Sequence, residues 1–324
     1  MTKSVFLRII AVALLVSLCV PFFSCTKKDD GEKIKIVCTL FAQYDWLRNI
    51  IGESDNVALS LLVDNGADVH SYQPTAADIM EISDCDMIVY LGSDIDTWVI
   101  EALERADNEN TLKFAMTERE GITLHNISSE SGHHSHDGHD HSHDALDEHV
   151  WLSLKNAVFF TGELCKVICE LDPDGAESYR ANAERYMGEL LSLDAEFFAA
   201  VQNAKKDFML FCDRFPFVYL LEDYGIEYAA AFEGCSADVD ADFATVLRMI
   251  KEADEHSLDC LIVTESSDRA LANTVASSAK CEIERVLVMD SLQSVGAKRI
   301  DSGVTYLSAM RENLGVLKLA LGVE

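Results

Sequence analysis

Six of the chain's ten histidines fall between His133 and His143, in the run Gly132-His133-His134-Ser135-His136-Asp137-Gly138-His139-Asp140-His141-Ser142-His143-Asp144. Imidazole nitrogen suits zinc, copper and nickel, and the interleaved aspartates add oxygen donors and negative charge. With almost no apolar residue the tract has nothing to pack, so every ligand set it offers must first be ordered. His133, His134, His136, His139, His141 and His143 are therefore expected to collect metal loosely and not to hold one ion tightly. A solvated loop of biased composition is the plainer alternative.

Two other histidines are more selectively placed. His70 lies in the turn-rich Gly66-Ala67-Asp68-Val69-His70-Ser71-Tyr72-Gln73-Pro74-Thr75, soon after a predicted strand. His149, in Asp147-Glu148-His149-Val150-Trp151-Leu152, directly follows the His-rich tract. Loops at the carboxyl ends of strands are where open α/β sheets bind ligands. A lone histidine is more often a hydrogen-bonded structural residue, and His125 and His256, without supporting neighbours, are read that way, as surface residues.

The elements that must position these side chains alternate. Residues 33–40, 57–63, 85–91, 207–212, 226–232, 260–263 and 286–289 read as strands, and 44–51, 76–83, 240–256 and 270–279 as helices. Strands alternating with helices of this length predict an α/β fold with parallel sheets covered on both faces. From 174 to 204 apolar residues recur at three- and four-residue steps, which predicts a helix of about 30 residues, or about 45 Å. It would join two lobes, 33–173 (with the His-rich loop at 128–147) and 205–324.

The start of the chain bears on the compartment. Lys3 and Arg8, the apolar run 9–20 and Ser24-Cys25 read as a signal peptide over 1–24, too short for a comfortable membrane span. Ser24-Cys25 resembles a bacterial lipobox, with Phe22 where that pattern usually has Leu. Cys25 is then expected to carry lipid, with 25–32 as tether; release as a soluble protein is the alternative. The formal charge of −30 argues against non-specific nucleic-acid binding and raises the local concentration of cations. The scattered cysteines suggest buried thiols and not a disulfide framework.

His-Ser-Tyr-Gln-Pro-Thr around His70, Asp-Glu-His-Val-Trp-Leu-Ser around His149 and the His-rich loop between them resemble the zinc/manganese solute-binding lipoproteins of ABC importers. Asp223-Tyr224-Gly225-Ile226 and Met289-Asp290-Ser291-Leu292 extend the likeness over essentially the whole mature chain. The resemblance implies two α/β lobes joined by a long helix, with one metal in the cleft. It implies His70 and His149 as ligands from the first lobe, and a His or Glu followed by a carboxylate, here Asp290, from the second. The third position falls on Arg214, and a guanidinium offers no lone pair to a metal. Asp213 is the expected replacement, with Arg214 pairing with a cleft carboxylate; a site of three protein ligands is the alternative. Cys212 and Glu265 are reserve ligands or supports for a ligand.

On this reading the protein is exported, anchored to the membrane only by lipid at the outer face of the cytoplasmic membrane or in the periplasm, and monomeric. It would carry Zn2+, or Mn2+, to the permease of its importer. A metal-binding adhesin or storage lipoprotein is an alternative, and a zinc hydrolase a further one. No H-E-x-x-H helix or Gly-x-Ser-x-Gly turn supports an enzyme.

Overall fold

The computed structural model describes residues 33–106, 110–125, 146–233 and 241–323; the signal segment, Cys25 and the His-rich tract lie outside them. The β-branched run Ile34–Cys38 forms β1, the amphipathic Phe41–Ile51 forms α1, and Val57–Leu61 forms β2. Ala76–Ser83 (α2), Met87–Tyr90 (β3), Thr97–Arg105 (α3) and Leu112–Ala115 (β4) complete the first lobe's sheet and its outer helices. Its strands are parallel in the order β2-β1-β3-β4. β3 is buried along its whole length, as a strand covered on both faces must be.

Two helices lead to the second lobe, Leu154–Leu171 (α4) and Ala176–Gln202 (α5). The second is 27 residues long, about 40 Å. It buries Tyr179, Ala183, Tyr186, Leu190, Leu193 and Phe197, one stripe at three- and four-residue spacing. The second sheet contains Phe208–Phe215 (β5), Glu227–Glu233 (β6), Cys260–Thr264 (β7) and Arg285–Met289 (β8). The helices of this half are Val218–Tyr224 (α6), Phe243–Glu255 (α7), Ala270–Ser278 (α8), Ala297–Asp301 (α9) and Tyr306–Ala320 (α10). This sheet is also parallel, ordered β6-β5-β7-β8, the same pattern as the first.

Both sheets belong to one compact unit from Ile34 onward, and one apolar core runs through both, from Trp46 and Trp151 to Phe211 and Phe217. Smaller clusters sit under the outer helices, around Ile82, Ile88 and Val99 in one lobe and Leu210, Val263 and Met249 in the other. Polar ties cross between the lobes. The buried Asp45 carboxylate on α1 accepts the Tyr306 amide at 2.9 Å, at the start of α10. Trp151 Nε1 donates to the Ser291 carbonyl at 3.0 Å, and the Tyr306 hydroxyl to the Trp151 carbonyl at 2.6 Å. At one edge the backbones themselves meet, where a Cβ on Gly296 would stand 2.6 Å from the Gly66 nitrogen. Among the described residues no cysteine forms a disulfide, and no helix is long and apolar enough to cross a membrane.

Candidate metal centre

Most of the candidate residues follow or end strands: His70 comes after β2, Arg214 near the end of β5, Glu265 after β7 and Asp290 after β8. His70 is held in a short 3-10 turn, Val69–Ser71, beyond β2. Asp68 caps that turn, its Oδ1 accepting the His70 amide at 3.0 Å, while buried Val69 and Tyr72 pin it to the core. His149 precedes a second such turn, Val150–Leu152, whose three residues are all buried.

The imidazoles point their Nε2 atoms at each other, 3.3 Å apart. Each has a carboxylate at its other nitrogen. His149 Nδ1 lies 2.9 Å from Asp147 Oδ1, and His70 Nδ1 lies 3.4 Å from Glu148 Oε1. An ionised carboxylate only accepts hydrogen bonds, so Asp147 places the His149 ring proton on Nδ1 and leaves that ring's Nε2 lone pair outward. Two nitrogens at about 2.0–2.1 Å from a tetrahedral zinc stand about 3.3–3.4 Å apart. The observed spacing matches that edge.

Burial, then the neighbouring His149, pulls the His70 pKa down to about 4. The ring is therefore neutral at ordinary pH, the state in which it can donate to a metal. Burial pushes the Glu148 carboxyl up, opposed by His149. Among the described residues, His70, Glu148 and His149 form the one group of His, Cys, Asp and Glu side chains close enough to hold an ion, with donor atoms within 4.8 Å.

The other expected residues stand apart from that group. Asp213 is turned into its own sheet: Oδ1 accepts the Arg214 amide at 2.8 Å, and Oδ2 accepts the Thr264 amide at 3.1 Å and its hydroxyl at 2.8 Å. These bonds within the second lobe engage both oxygens, and Asp213 lies outside the group formed by His70, Glu148 and His149. Cys212 is buried in the apolar cluster beneath the outer helices, and burial pushes its thiol up to about 12. It lies outside the group formed by His70, Glu148 and His149. Arg214 Nη1 reaches Asp68 Oδ2 at 3.2 Å, on the opposite lobe.

Asp290 follows β8. Its Oδ1 accepts the Leu292 amide at 2.9 Å, and its Oδ2 is paired with Arg299 of α9. Glu265 follows β7 and accepts the Ser291 amide and hydroxyl and the Ser294 hydroxyl. Burial, with Asp290 nearby, raises its carboxyl. Glu148, which completes the group with His70 and His149, is not among the residues expected from the sequence. Its signal was its place between Asp147 and His149, in a turn where consecutive side chains can converge.

A family model described as zinc-uptake complex component A, periplasmic, matches residues 36–320. The zinc-binding lipoprotein AdcA of Streptococcus pneumoniae is 30% identical over 309 residues, which cover 94% of this chain; the chain spans 60% of that relative's length. The high-affinity zinc uptake system protein ZnuA of Bacillus subtilis is 29% identical over 295 residues, 91% of this chain and 89% of the relative. The crystal structure of the Zn(II)-bound ZnuA-like domain of S. pneumoniae AdcA superposes with a TM-score of 0.70 at 26% identity, covering 89% of this chain and 99% of that one.

Proposed function

We propose, from the premise that this chain belongs to the zinc-uptake complex component A family of periplasmic proteins, that it captures zinc outside the cytoplasm and hands it to the permease of an ABC importer. The observation that carries the reading is the pair of inward Nε2 atoms 3.3 Å apart, with His149 steadied by Asp147 at its Nδ1 and Glu148 beside His70. That is a site for a small ion preferring tetrahedral nitrogen and oxygen donors, with His70, His149 and Glu148 supplying them. Two imidazoles favour zinc over manganese, which prefers more oxygen. The zinc-binding names of the relatives agree with this choice. Asp290 would become a fourth ligand by leaving Arg299.

Two parts of the reading lie outside the described residues. The six histidines of 133–143 serve as an auxiliary collector beside the tight site, and Cys25 carries the lipid that keeps a monomeric protein at the membrane. The signal-like first 24 residues and the composition of the tract support both.

Zinc titration of the metal-free protein against a competing chelator tests the central claim. One tight equivalent is expected, and the double variant His70→Ala/His149→Ala should bind it roughly a thousandfold more weakly. Unchanged tight binding by that variant removes the reading.

A further inference from the structure

A guanidinium beside a cation site is an electrostatic disadvantage, so its presence calls for a compensating use. Arg214 projects from β5 towards the first lobe. Between Phe211 and Arg214 the register with β6 shifts, a bulge of the kind that re-aims a side chain. Asp213 sews this bulge in place, bonding the Arg214 amide on one side and Thr264 of β7 on the other. Ser266 Oγ, 3.4 Å from Nη2, steadies the guanidinium.

The guanidinium meets Asp68, whose two oxygens act on different partners. Oδ2 takes Arg214 of the second lobe, and Oδ1 takes the backbone amide of His70. Both side chains are largely shielded from water, with 24% of the arginine and 17% of the aspartate exposed. Arg214 also stands near enough for its charge to act on His70.

We propose that Arg214 is a positioning residue of the metal site: through Asp68 it fixes the turn that carries His70, so the second lobe contributes a clamp on a ligand where a ligand of its own would otherwise stand. The bulge and Asp213 aim the clamp, Asp68 transmits it, and the ion pair joins the lobes beside the two imidazoles. The proposal rests on the zinc-site reading of His70 and His149, and its test therefore includes a measurement made without metal.

Hydrogen exchange at the His70 amide, followed by NMR in the metal-free protein, reads the clamp directly. Arg214→Gln should speed exchange at this amide about tenfold, and Arg214→Lys should restore much of the protection. In zinc competition titrations Arg214→Gln and Asp68→Asn should each weaken binding about tenfold, within the range for groups that orient a ligand. The double variant should be no worse than either single, because both break one link. Unchanged His70 exchange, additive losses or tighter zinc binding in Arg214→Gln would each overturn the clamp. Absence of tight zinc binding in the unsubstituted protein would instead overturn the metal-site reading, leaving the exchange measurement to decide the clamp.

Discussion

The two sheets share a strand order, yet their carboxyl ends carry opposite chemistry. The first lobe presents two imidazoles whose Nε2 atoms face each other, with Asp147 bonded to His149 and Glu148 beside His70. The second presents charges already engaged: Arg214 with Asp68, Arg299 with Asp290, Asp213 with Thr264, Glu265 with Ser291. Topology therefore determines where a site can form, whereas side-chain pairing determines which lobe supplies donors. A neutral imidazole buried at a turn is available to a cation at once. A carboxylate held by arginine must first give up a charge-assisted bond.

The sharpest way to break this contrast is to disturb the carboxylates behind the imidazoles. Asp147→Asn should cost 10- to 100-fold in zinc affinity, measured by competition titration, because it removes the acceptor that holds the His149 proton on Nδ1. Acid should act next, and on the first lobe. The His70 pKa is about 4 when folded, below its ordinary value, so the unfolded chain takes up the proton first. The associated stability is complete above about pH 6.5 and is lost as pH falls towards 4. Metal-free protein should melt about 5 °C lower at the acid end, by calorimetry, and His70→Gln should reduce that difference. Asp290→Asn is the smallest expected change, within about threefold in zinc affinity, since a carboxylate that must leave Arg299 to reach the metal gains little net by binding it. A loss as large as that of the His70/His149 double variant would mean that the second lobe donates as strongly as the first, and the contrast between lobes would fail.

Much of the scaffold was legible because β-branched runs and three- and four-residue apolar steps mark buried strands and helices directly. The α/β class and both parallel sheets follow from that alternation. β4 was not: four residues with Lys113 at the second position leave no period to detect, and the strand exists because β3 lies beside it. The long helix was expected over 174–204 and runs Ala176–Gln202, since Pro173 and Gly175 favour a turn before it. At the site, His70 and His149 stand out by residue type and setting. Glu148 did not, because only the folded turn decides which of two adjacent carboxylates bonds His149 and which joins the histidines. Strand alternation puts Asp213 and Arg214 on opposite faces but cannot announce a bulge, and the bulge sends the arginine across the cleft.

The meeting of Gly66 and Gly296 gives the cleft a built-in gauge. A methyl group at 296 would stand 2.6 Å from one backbone nitrogen and 2.7 Å from the Asp64 carbonyl oxygen, with backbone and not a flexible side chain as the obstacle. The missing side chain is thus a dimension, the separation at which the two backbones rest. An alanine there would act as a shim, holding this edge ajar by roughly an ångström at normal contact distances. One hydrogen atom in place of a methyl sets how far apart the jaws sit.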